Sequence, residues 1–267
     1  ESTMQITKAM ELVASSKLRK AKERQEKCRP YFMGLKQTLE SIETATNDFS
    51  SPYQQQREVK KRCLIVIAGD RGLAGGYNSN VFKSIQPMLE EGPVCVLPIG
   101  KRTVEFFARN GVEMLTTEFA EAASVSVSDC FTISNLITKG YLSGQYDEVS
   151  VVYTRFVSML TQTPARDALL PLEKLERKAE TGVRQLVLYE PSPSAVYDAI
   201  VPNYIAGMIY GAMCESVASE LGARRTAMDA ASKNASEMID DLSLRYNRAR
   251  QGAITQEITE IVAGAEH

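Results

Sequence analysis

The sequence contains no tryptophan and a single histidine, His267, among 267 residues. One histidine excludes the metal sets and acid–base triads that depend on imidazole. Cysteine is sparse and scattered: Cys28, Cys63, Cys95, Cys130 and Cys214 stand singly with no CxxC spacing. Neither a disulfide framework nor a zinc site is indicated, and a reducing compartment fits. No apolar run nears the roughly 18 residues a membrane span needs, and the opening ESTMQITKAM lacks the basic-then-apolar layout of a signal peptide. Charge of one sign is lacking too, since 31 basic and 33 acidic residues leave a net charge of −2. That balance argues against a general nucleic-acid or membrane binder. There is no initiator methionine, and the first residues already read as helix, so the natural start is expected to lie upstream.

What the chain does have is helical periodicity at both ends. From Gln5 to about Phe49, Ile6, Met10, Val13, Ala21, Cys28, Phe32, Leu35, Leu39 and Ile42 recur at helical steps, which predicts one apolar stripe. Lys17 and Arg24 interrupt it with stems that can lie along it, and Pro30 is expected to kink the helix unless a break intervenes. Such a helix of about 45 residues spans roughly 68 Å, far more than a small domain needs. From Asn203 to about Ala263 the series Cys214, Val217, Leu221, Arg224, Met228, Ala231, Ala235, Met238, Leu242, Arg245 and Ala249 alternates steps of three and four. That is a period of 3.5, the mark of a coiled coil, and the N-terminal helix is the expected antiparallel partner.

Between the ends the period changes. Arg62–Ala68, Val94–Ile99, Glu148–Tyr153 and Leu186–Tyr189 read as short apolar strands, with helices near Asn80–Glu91, Arg102–Asn110 and Ser126–Leu142. The expected fold class is α/β: a central, largely parallel-sheet, Rossmann-like domain inserted between two long helices that form an antiparallel coiled coil. The boundaries drawn are residues 1–53, 58–192 and 193–267, with QQQREVKKR (Gln54–Arg62) as the linker into the centre.

Candidate chemistry is thin. GDRGLAGGYN (Gly69–Asn78) is a glycine-rich turn between strand and helix, the place where phosphates bind in nucleotide folds. It matches neither GxGxxG nor GxxxxGK(S/T), and glycine also serves a tight crossover, so a nucleotide-dependent enzyme with helical arms stands only as the alternative reading. Lys17–Arg29 sets seven basic residues against Glu23 and Glu26, which reads either as a solvated face with pairs such as Glu23–Lys27 or as a patch for phosphates or an acidic protein surface. No Ser, Cys or carboxylate pair falls in a catalytic motif. Near the C-terminus, QGAITQEITEIVAGA (Gln251–Ala265) keeps Ile254, Ile258, Ile261 and Val262 on a helix near or past the end of its partner, so another protein is expected to enclose that tip.

These same residues carry a resemblance. QITKAMELVASSKLRKA (Gln5–Ala21), IAGDRGLAGGYN (Ile67–Asn78), YEPSP (Tyr189–Pro193) and YNRARQGAITQEITEIVAGA (Tyr246–Ala265) resemble the γ subunit of F-type ATP synthases, in order and over nearly the whole chain. The resemblance implies a non-catalytic rotating shaft with no cofactor or metal of its own. Its implied partners are the α and β chains of a catalytic hexamer, the ε subunit and the membrane c-ring, with no nucleic acid. It implies that Lys8, Met10, Arg224, Gln251, Thr255, Glu257 and Glu260 face the hexamer, and that Tyr189 and Glu190 belong to the foot on ε and the c-ring. The chain would lie on the cytoplasmic face of a bacterial membrane, peripheral to it, with the matrix side of the mitochondrial inner membrane as the alternative. Glu266 and His267 depart from the small or basic ending usual in the family, and nothing between Ser124 and Gln185 resembles the cysteine-bearing insertion of photosynthetic γ chains.

Overall fold

A computed structural model describes residues 2–45, 49–173 and 187–265. In chain order they form α1 (Ser2–Ala45), β1 (Arg62–Ile67), α2 (Tyr77–Glu90), β2 (Val94–Ile99), α3 (Lys101–Arg109), β3 (Glu113–Met114), α4 (Val127–Leu142), β4 (Glu148–Phe156), β5 (Gln162–Leu170) and α5 (Pro193–Ala265). The five strands make one sheet in the order β3-β2-β1-β4-β5, parallel throughout except for β5, which pairs antiparallel with β4.

Continuous apolar strands arise because both faces are covered. Odd-numbered residues of β1, such as Cys63, Ile65 and Ile67, face the core shared with α4 and α5. Even-numbered Leu64 and Val66 face Val81, Ile85 and Phe107 of α2 and α3. The strand at Leu186–Tyr189 does not form: residue 186 lies outside the described residues, 187–189 are irregular, and Leu188 is 80% exposed. The sheet takes β5 instead. That segment, QTPARDALL, is half polar and holds a proline, a composition tolerated only at a sheet edge, and its pairing comes from the hairpin with β4.

α1 and α5 pair antiparallel. Thr7 meets Ser232, Phe32 lies against Gly207 and Glu43 meets Tyr197, so a step of 25 residues up α1 is matched by 25 residues back along α5. Gly207 permits this closeness, because a Cβ there would collide with the Phe32 ring. α1 stays helical through Pro30, and α5 passes through Pro202, beginning ten residues before the Asn203 at which the periodicity first reads as helix. Ser134 of α4 donates to the Pro202 carbonyl at 2.6 Å, tying that turn to the domain.

Toward its C-terminal end α1 buries the expected stripe, with Leu39 and Ile42 in the core and Phe32 against Gly207, but nearer the N-terminus the buried face differs. In the N-terminal half Thr7, Ala14 and Leu18 face α5, while Ile6 and Val13 are 57% and 54% exposed. Across from them α5 offers Ala218, Leu221 and Ser232, mostly small side chains that bring the helices close, so size rather than apolarity selects the seam.

Candidate functional site

The strand order reverses between β1 and β4: the chain leaves β1 toward β2 and β3, then returns through α4 to β4 on the other side. In open α/β sheets the crevice at the carboxyl ends of such neighbours is where ligands bind. Here α5 lies in it. Ser219 Oγ donates to the Thr154 carbonyl of β4 at 3.0 Å, and the Tyr77 hydroxyl at the start of α2 bonds Ser216 Oγ at 2.7 Å. On the β1 side, the carboxylate of Glu220 packs against Gly69, where a Cβ would stand 2.9 Å from its carbon and would have to push that flexible side chain aside.

Both ends of the first half of the glycine-rich turn are tied to their own chain. The Gly69 N–H donates to Asn78 Oδ1 at 2.8 Å, and the Gly72 carbonyl accepts from Arg224 at 3.3 Å. Asp70 places a carboxylate at the head of α3, accepting from the Lys101 N–H at 3.2 Å and from the Ala122 and Ala123 N–H groups at 2.9 and 3.1 Å. A carboxylate thus occupies the head of α3, while at the head of α2 a cavity of about 280 Å³ lies between the glycine-rich turn, the end of β4 and α5. Burial, then the neighbouring Glu220 charge, pushes the Tyr77 phenol up, so it remains a neutral hydrogen-bonding group. Among the described residues no cluster of three His, Cys, Asp or Glu side chains is arranged to hold a metal, and no helix is long and apolar enough to cross a membrane.

The residues expected to meet partners fall at different levels. Lys8 is exposed and pairs with Glu11 at 2.8 Å; Met10, two residues on, is half-buried on roughly the opposite side of the helix. Gln251, Thr255, Glu257 and Glu260 all lie on exposed helix, where Thr255 Oγ1 bonds only the Gln251 carbonyl. Arg224 stands far below them. Its side chain is 16% exposed, paired with Glu220 at 2.5 Å as well as with Gly72. Tyr189 packs partly against the main core, and Glu190 is exposed beside the cis bond to Pro191. Structure thus brings together Arg224, Glu220, Ser219 and Ser216, three of which the sequence reading passed over. The signal available was a run of small residues in α5 (Ser216, Ala218, Ser219, Gly222, Ala223) opposite a glycine-rich turn.

Above the crevice the shaft stands free of the domain. α5 is covered by α1 to about Ile239, and every described side chain from residue 240 to residue 261 is exposed. Those 22 residues extend about 33 Å and carry Ile254, Ile258 and Ile261 on one stripe. Lower on α1, all seven basic residues of Lys17–Arg29 are exposed. The pair formed there is Arg19–Glu23 at 3.8 Å rather than Glu23–Lys27, and Lys22 lies 4.4 Å over the Phe156 ring. The remaining charge faces outward.

Comparison with known proteins gives a consistent picture. The profile of the family described as ATP synthase matches residues 1–267. The ATP synthase gamma chain of Ruminococcus albus is 46% identical over 266 residues, 98% of this chain and 92% of that one. The sodium-ion-specific ATP synthase gamma chain of Acetobacterium woodii is 42% identical over 283 residues, 99% of this chain and 94% of that one. Among solved structures, a chain of the Tetrahymena thermophila mitochondrial ATP synthase central stalk and c-ring shares the fold, with a TM-score of 0.63 at 23% identity over 85% of this chain and 99% of that one. A chain of the Euglena gracilis mitochondrial ATP synthase does so at a TM-score of 0.56 and 16% identity, over 96% and 93%.

Proposed function

The chain belongs to the ATP synthase gamma-chain family, and from that premise we propose how its geometry couples rotation to catalysis. It is a non-catalytic subunit, the rotating central stalk that links the c-ring to conformational cycling of the α/β hexamer, at the cytoplasmic face of the bacterial membrane and peripheral to it. The observation that carries the coupling is the division of the chain into a foot whose crevice is gripped by α5 and a shaft whose upper 33 Å or so is uncovered. α5 forms one wall of that crevice and leaves a cavity of about 280 Å³ beside the glycine-rich turn; the shaft has surface to offer.

Proton-driven turning of the c-ring reaches the foot, where Tyr189 and Glu190 are the proposed contacts with ε and the ring. The two helices differ in residue at every level, so the shaft presents a different face to each of three identical catalytic sites. It can favour a conformation only by touching it more favourably than the others. Lys8 and Met10 are proposed to meet the β chains at mid-shaft, beside the outward-facing basic stretch of α1. Gln251, Thr255, Glu257 and Glu260, with the isoleucine stripe, are proposed to run in the bearing. Arg224 is proposed to reach the hexamer only through the guanidinium N–H groups that Glu220 and Gly72 leave open. Scattered charges around an apolar tip suit rotation, since a desolvated ion pair fixes one angle.

Reconstitution tests the proposal. The chain assembled with α and β chains should turn a bead fixed to its foot when ATP is added, while the chain alone should neither hydrolyse ATP nor release heat on mixing with it. Hydrolysis by the isolated chain would refute it.

A further inference from the structure

α5 meets the foot through two contacts of different chemistry. In its lower part Val201, Ile205, Ile209 and Met213 are buried in the main core. Burial of that kind depends on area and has little directional preference, so it holds two surfaces together without strongly fixing an angle. Higher up the contacts are hydrogen bonds, which weaken steeply as their angles open. Tyr77–Ser216 (2.7 Å) and Arg224, held by Glu220, to the Gly72 carbonyl (3.3 Å) hold the β1–α2 side of the crevice. Ser219 to the Thr154 carbonyl (3.0 Å) and Thr226 to the Met159 carbonyl (3.3 Å) hold the β4 side.

Because the attachments lie on both walls, turning α5 about its axis in either direction stretches one set. Ser216, Ser219 and the carbonyl end of Thr154 are buried, so water cannot readily replace a stretched bond and the full desolvation penalty is felt. Above this level α5 runs clear of the sheet and pairs with α1 alone among the described residues.

Resting on the rotor reading above, we infer that the Ser216–Thr226 stretch of α5 is a spline. Set in the crevice that a nucleotide would occupy in a binding domain, it is the level at which turning moment passes from foot to shaft, with Tyr77, Ser216, Ser219 and Glu220 as positioning residues. A ligand crevice has been turned into a socket. Its counterpart in the sequence is the set of small hydroxyl residues on one face of α5 opposite a glycine-rich turn.

The test uses the full complex with the hexamer stalled by a non-hydrolysable ATP analogue, which clamps the shaft at its top. A bead on the foot, attached through Lys83→Cys on exposed helix, reports angular fluctuation. Tyr77→Phe with Ser219→Ala removes one bond from each wall, and the angular variance should roughly double as directional contacts are lost. Ile209→Val, which trims the non-directional contact, should lower melting temperature by a similar amount yet leave the variance near wild type. If the double variant does not assemble, Tyr77→Phe alone is read the same way with a smaller rise. An unchanged variance in the hydroxyl variants, or an equal rise in Ile209→Val, overturns the spline and leaves the rotor reading intact. A wild-type complex whose bead does not turn with ATP instead overturns the rotor reading and, with it, this one.

Discussion

Thr7 and Ser232 face each other across the seam with their oxygens 2.7 Å apart, and Ser232 is buried. Thr7→Val strands the Ser232 hydroxyl and should cost about 1–2 kcal/mol, whereas Thr7→Val with Ser232→Ala removes both partners and should fall close to wild type. Urea unfolding of the two variants distinguishes a hydrogen-bonded seam from a merely close one. At the entry to the foot, Asp147 Oδ2 accepts from the Lys60 and Lys61 N–H groups at 2.9 and 3.1 Å, and these bonds hold its carboxyl below the usual range. The unfolded chain takes up the proton more readily, so the stability this residue contributes is present above the unfolded value of about 3.9 and is lost as pH falls through the lower folded one. Asp147→Asn should therefore be less stable than wild type near neutral pH, with the gap closing on acidification through and below about pH 4, as urea midpoints would report.

α1 carries its proline in mid-helix, where the missing N–H leaves the Glu26 carbonyl without its usual partner. Pro30→Ala should raise stability by about 1–3 kcal/mol, visible as a higher melting temperature. No rise would mean that seating Phe32 on Gly207 depends on the shape Pro30 imposes. Elements differed in how plainly they were written. The helices after β1, β2 and β3 were legible from apolar spacing and the glycines that precede α2 and α3, and in α4 a reciprocal capping box of Ser126 and Asp129 adds a local start signal. β5 was not, since a half-polar edge strand is defined by its hairpin partner rather than by its own residues. The N-terminal seam was legible in period but not in phase: Ile6 and Val13 look like core, yet α5 presents small residues to Thr7, Ala14 and Leu18.

As a whole the molecule is a foot that holds the lower part of its shaft and a shaft that leaves its upper end to others. Stopping the chain after Arg250 removes residues with no described contact to the domain, so melting of the isolated protein should change by no more than about 0.5 kcal/mol. Reassembled in vesicles, that shortened chain should pump fewer ions per ATP hydrolysed; equal coupling would show that the tip is dispensable. Periodicity by itself determined two long helices, their antiparallel pairing and a covered sheet between them, because burial requires each apolar stripe to find a partner. Motifs at both ends identified the family. Only the tertiary structure decided that α5 lies in the crevice between β1 and β4, that Arg224 turns inward to Glu220, and which face of the N-terminal half of α1 is the seam. Those outcomes depend on the fit between residues more than a hundred positions apart, and no local pattern records the size of a distant neighbour.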